Sequence, residues 1–154
     1  MAPNRTSEAR AIDNMLCFAL YAASRATTQA YRRILKPWGL TYPQYLVLME
    51  LWEGEPRTVG ELGHDLALDS GTLSPLLSRL EKLGHVARTR SSDDARVVSI
   101  GLTEQGRGLR AELSHVPGEI GRCTGLTLDG ARGMVAELHD YTDAVNASNS
   151  VLTR

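Results

Sequence analysis

Between Asp69 and Thr103 the chain reads DSGTLSPLLSRLEKLGHVARTRSSDDARVVSIGLT, and its hydrophobic spacing changes once, from a helical period to alternation. Leu73, Leu76, Leu77, Leu80 and Leu83 recur at intervals of three and four, which puts them on one side of a helix and leaves Thr72, Ser74, Ser78, Arg79 and Lys82 on the other. Asp69 or Ser70 can cap its start by accepting from an unpaired backbone N–H, and Gly84 can end it in the left-handed conformation. Pro75 is read into the first turn or so, where a missing N–H costs little. Beyond Gly84, His85–Arg90 and Val97–Leu102 alternate around the polar turn Ser91-Ser92-Asp93-Asp94, which predicts a β-hairpin. A short polar-faced helix leading directly into an arginine-bearing hairpin constrains this chain more than any other feature.

The pairing points to a winged helix-turn-helix that reads DNA. The helix surface offers hydroxyls and one acidic group to base edges, and an arginine on a narrow protrusion suits the negative potential of a minor groove. Asp69, Ser70, Thr72, Ser74 and Arg79 are assigned to the reading helix or its phosphate contacts, Arg88 and Arg90 to phosphate positioning, and Arg96 to the minor groove. Bulk charge limits the kind of contact. Seventeen basic against eighteen acidic residues leave −1, which excludes a lysine-coated, sequence-blind binder and requires local contacts. No run approaches the roughly 20 apolar residues of a membrane span, and the start MAPNRTSEARAIDNM lacks the apolar core of a signal peptide, so a cytoplasmic protein is expected.

The 154 residues, 42% of them hydrophobic, are read as one domain, mainly α with a small β-hairpin wing. A first helix is expected from about 8 to 36, a winged helix-turn-helix region from about 41 to 103, and further helices from about 104 to 147, with Pro117-Gly118 interrupting or bending that last stretch. Thr41 caps a second helix, and Thr58-Val59-Gly60-Glu61 is a capping-box pattern opening a third. The outer helices carry apolar stripes with no sheet to cover, so they are expected to bury them in a homodimer whose two reading helices meet an inverted repeat about 34 Å apart.

Two passages carry a family resemblance. DDAR before VVSIGLTEQG resembles the wing of the MarR family of dimeric bacterial regulators. LCFALYAASR around Cys17, then Tyr31, LTYPQYLVLMELWE and LDSGTLSPLLSRLEKLG are similar to its organic-hydroperoxide-sensing group, the OhrR repressors. The resemblance implies that Cys17 is a peroxide-reactive thiol whose reduced form permits DNA binding. It also implies that Tyr31 and Tyr42 hydrogen-bond the sulfur and that Cys123 resolves the oxidised cysteine. No cofactor is implied.

Read from the residues, Cys17 sits mid-helix without a basic neighbour within one turn, so any activating donors must come from elsewhere. Tyr31 lies fourteen residues on, roughly 21 Å along a continuous helix, so it can meet only the Cys17 of another subunit. Leu16, Phe18 and Leu20 suit a peroxide with an organic tail. Two rival functions stay open: release by a small phenolic or aromatic ligand, and a thiol peroxidase with Cys17 as nucleophile. His64, His85, His115 and His139 do not pair at metal-site spacings.

Overall fold

The structure is a computed structural model that describes residues 11–90 and 97–152. The described residues form seven α-helices and three short strands in the order α1 (Leu16–Ile34), α2 (Tyr42–Glu53), β1 (Arg57–Thr58), α3 (Val59–Asp65), α4 (Ser70–Lys82), β2 (Val86–Arg90), β3 (Val98–Leu102), α5 (Glu104–Glu112), α6 (Val116–Thr124) and α7 (Leu128–Leu152). This is the expected class, with one strand more than a hairpin. β3 lies between β1 and β2, antiparallel to both, with Arg57 opposite Ile100 and Val86 opposite Leu102. At two residues β1 is too short for any alternation to announce it, and it forms because β3 offers it a free edge.

The helix starts follow from their caps. The Thr58 amide donates to Glu61 Oε2 at 2.7 Å while the Glu61 amide donates to Thr58 Oγ1 at 3.2 Å, the reciprocal box expected at α3. The Thr41 amide donates to Gln44 Oε1 at 2.9 Å at the start of α2, and the Gly106 amide donates to Thr103 Oγ1 at 3.0 Å at the start of α5. Gly84 follows α4 at φ +79°, as its position predicted. Leu73, Leu77 and Leu80 of α4 are buried, as are Leu48, Leu51, Leu62, Val86 and Ile100, and α4 packs on α2, α3 and the wing strand β2.

Three sequence expectations are revised. α1 begins at Leu16 rather than near Glu8, after a separate 3-10 turn over Ala11–Asn14. Pro75 is the sixth residue of α4, in its second turn, so the amide it lacks would have paired with the Gly71 carbonyl; leucine packing holds the helix despite that loss. Three helices follow the wing where two were expected: α5 ends at Glu112, and Pro117, expected to interrupt or bend the stretch, occupies the first turn of the additional helix α6. Cys123 lies within α6.

Two compact units emerge, one through Val116 and one from Pro117 onward. In the second, α7 leaves Leu128, Met134, Val135, Leu138 and Val145 exposed, Leu128 at 69% and Val135 at 52%. In the first, Met15, Leu16 and Tyr21 of the α1 region are more than half exposed. Among the described residues no helix is long and apolar enough to cross a membrane.

The wing root encloses His85, which is 6% exposed and whose Nδ1 has no hydrogen-bond partner among the described residues. Burial holds its pKa below the ordinary 6.5, against an opposing pull from the Glu112 carboxylate. The folded chain thus keeps the ring neutral where the unfolded chain protonates it, so stability falls as pH drops below about 6.5. In urea unfolding between about pH 7.5 and pH 5.5, His85→Leu is expected to lose less stability than the native chain. Equal losses would show that His85 does not set the dependence.

Candidate nucleic-acid interface and thiol site

The start of α4 is organised by its own cap. The Thr72 amide donates to Asp69 Oδ1 at 2.8 Å and the Thr72 hydroxyl to Oδ2 at 2.9 Å. These bonds, the backbone one first, hold the Asp69 carboxyl below its usual range, so it stays ionised and keeps the helix start closed. Asp69 and Thr72 are thus each other's partners. Ser70, Ser74 and Arg79 are exposed along the same helix, and Ser78 is half-buried.

The wing arginines differ. Arg88 reaches back to α4, donating through Nη2 to Ser78 Oγ at 2.9 Å and to the Ser74 carbonyl at 3.4 Å, with Nε 3.4 Å from Glu81 Oε2. Arg90 is exposed at the end of β2. Arg96 lies outside the described residues.

The wing root is pinned by residues that sequence reading passed over. The Glu55 carboxylate accepts from the Leu102 amide of β3 through Oε2 and from Arg107 Nε of α5 through Oε1 at 2.6 Å. Arg110 donates to the Trp52 carbonyl and to Glu53 Oε1, both at 2.8 Å, and Trp52 Nε1 donates to the Gly106 carbonyl at 2.9 Å. Glu55 and Arg107 are 52 positions apart, which hides the pair from any local pattern.

The four residues assigned to thiol chemistry fall in three places. Tyr31 and Tyr42 come together, with ring centroids 4.1 Å apart and planes 22° from parallel. Tyr45, unassigned beforehand, joins them 5.8 Å from Tyr31 and meets Trp52 edge-on at 6.1 Å. Burial first, then the neighbouring Tyr42 and Tyr45, pushes Tyr31 up to about 12, and burial raises Tyr42 and Tyr45 as well. All three therefore carry their phenolic protons at neutral pH and can donate them.

Cys17 is exposed and is the second residue of α1, not a mid-helix position. Within one chain Cys17 and Tyr31 share α1, and fourteen residues separate them by roughly 21 Å along its axis. Cys123 is exposed near the end of α6.

Residues 29–113, from the end of α1 through the wing to α5, match the model of the transcriptional regulators SarA/Rot. The HTH-type transcriptional regulator TtmR of Methylorubrum extorquens (strain PA1) is 48% identical over 147 residues, covering 96% of this chain and 75% of that one. The chain belongs to the MarR family of winged-helix transcriptional regulators, SarA/Rot type. This MarR-family regulator is also 49% identical, over 109 residues, to the organic hydroperoxide resistance transcriptional regulator of Bacillus subtilis (strain 168), covering 71% of this chain and 74% of that one. Among solved structures it superposes on AbfR, a protein of Staphylococcus epidermidis. With reduced AbfR bound to DNA the TM-score is 0.74 at 38% identity, covering 84% of this chain and 91% of that one. With the disulfide form of AbfR the TM-score is 0.64 at 37% identity, covering 86% and 90%. The MarR-family regulator is accordingly a DNA-binding protein, and its relatives are regulators rather than enzymes.

Proposed function

We propose that this regulator is a homodimeric repressor that lets go of its operator when an organic hydroperoxide oxidises Cys17. The observation that carries this reading is the stacked Tyr31–Tyr42 pair, two protonated phenols side by side, on a chain 49% identical over 109 residues to an organic hydroperoxide resistance regulator.

The exposed apolar residues of α1 and α7 favour a second copy as their cover, since single chains rarely leave such stripes open. In a dimer, Tyr31 and Tyr42 of one subunit meet the partner's sulfur and donate to its thiolate, which favours the charged, nucleophilic form. The thiolate attacks the terminal peroxide oxygen. The O–O bond breaks, the cysteine becomes a sulfenic acid, and the alkoxide leaves and takes a proton from water. The Cys123 thiol of the partner subunit then displaces the sulfenic hydroxyl as water and closes a disulfide. That bond requires Cα atoms within roughly 7 Å, so bridging pulls on α1 and α6 and thereby on the spacing of the reading helices. On DNA, Ser70, Thr72, Ser74 and Arg79 of α4 face base edges and phosphates, Arg90 a phosphate, and Arg96 the minor groove, across an inverted repeat with half-sites about 34 Å apart.

One experiment tests the whole reading: operator binding before and after a stoichiometric organic hydroperoxide, with non-reducing electrophoresis of the same samples. Loss of binding together with a dimer-sized band that reductant removes is the expected result. Release by a phenolic compound in strong reductant, with both thiols intact, would transfer the function to ligand sensing. Repeated turnover of peroxide with a dithiol, and no sequence-specific binding, would make the protein a peroxidase.

A further inference from the structure

Arg88 is the third residue of β2 and pairs with Ile100, on the sheet face that also carries Val86 and Leu102. Val86, Ile100 and Leu102 are at most 7% exposed, so the root of this face packs on the protein, and Arg88 lies at its exposed margin. The side chain continues in that direction, onto α4. Its three acceptors there, the Ser74 carbonyl, Ser78 Oγ and Glu81 Oε2, follow one another at intervals of four and three residues and form one stripe of the helix. A planar guanidinium can hold such a stripe because its five N–H groups have a fixed geometry, which a lysine ammonium on a flexible stem cannot copy.

Charge points the same way. Glu81 lies against Arg88, so the guanidinium is partly neutralised where a phosphate would have to meet it. With the two side chains 33% and 44% exposed, their Coulomb attraction is weakly stabilising. Its effect is geometric, since it ties the strand that carries the wing to the helix that enters the groove, and both must reach the duplex together. Fixing their angle before binding removes an ordering cost from association.

We infer that Arg88 is an internal brace that holds wing strand β2 on reading helix α4, a positioning residue for DNA binding and not a phosphate contact. The inference is independent of the thiol chemistry.

The salt dependence of binding separates the two roles. A phosphate contact releases counterions, and its removal makes the plot of log affinity against log salt shallower by about 0.9. Loss of a brace lowers affinity by the same factor at every salt concentration. The reduced protein would be titrated with a duplex that the native dimer has enriched from a random pool, using Arg88→Ala, Arg88→Lys and Ser78→Ala. Arg88→Ala is expected to weaken binding roughly tenfold with an unchanged slope, as loss of hydrogen bonds from a charged donor allows. Arg88→Lys is expected to lose as much although it keeps the charge. Ser78→Ala is expected to lose less, and not additively with Arg88→Ala. A shallower slope in Arg88→Ala, native affinity in that variant, Arg88→Lys within about twofold of native, or additive losses would each overturn the brace. Should Arg88→Ala fail to fold, Arg88→Lys and Ser78→Ala carry the same comparison.

Discussion

Cys17→Ser is expected to bind the operator like the native regulator and to keep binding it after an organic hydroperoxide has released the native one. A serine hydroxyl does not attack a peroxide, whereas a cysteine thiolate does. The difference in operator affinity between oxidised and reduced native protein should fall in the range of allosteric couplings, roughly 5- to 150-fold, and should vanish in the variant. Cys123→Ser separates the two steps: oxidation of Cys17 persists, seen as sulfenic acid by a trapping reagent, while the reductant-sensitive dimer band disappears. Peroxide-dependent release by Cys17→Ser would end the thiol reading, leaving DNA binding untouched.

The second large effect is structural. Gly106→Ala is expected to destabilise the winged-helix unit by about 3 kcal/mol or more and to lower its melting temperature by on the order of 10 °C, measured by urea and thermal unfolding. A Cβ built on Gly106 would lie 2.0 Å from the His85 carbonyl oxygen, 3.0 Å from its carbon and 3.2 Å from Leu102 Cδ2. The first two atoms are backbone and cannot rotate away. Relief requires lifting the start of α5 off the wing root, which also breaks the Trp52 bond to the Gly106 carbonyl, the Thr103 amide bond to His85 O at 3.1 Å and the Thr103 hydroxyl bond to the Gly84 carbonyl at 2.6 Å. Each lost bond adds about 1 kcal/mol. A change below about 1 kcal/mol would mean that α5 slides along β2 and β3 at little cost.

Much of the winged helix was legible because its signals are local. The leucine spacing of α4, the Thr58–Glu61 box, Gly84 with its positive φ and the alternation of β2 and β3 each need only a few neighbouring residues, and each reappears in the structure. Boundaries were less legible. α1 begins at Leu16 and not near Glu8, after the 3-10 turn over Ala11–Asn14, and that boundary moves Cys17 from the middle of a helix to its first turn.

The site was legible as a list of residues and not as an arrangement. Tyr31 and Tyr42 were read as thiol partners, yet nothing in the sequence put their rings face to face or added Tyr45 to the group. An arginine on a hairpin faces DNA by default, and the acceptors of Arg88 on α4, seven to fourteen positions earlier in the chain, are visible only in the structure. Glu55 with Arg107 and Gly106 with His85 are stronger cases, joining elements 52 and 21 positions apart.

Hydrophobic period and capping chemistry act within one or two turns, so the order of helices, the wing and the class of partner can be read along the chain. How close a backbone approaches, which arginine turns inward and which phenols stack depend on side chains meeting from distant segments, and those meetings exist only after the leucine core has closed.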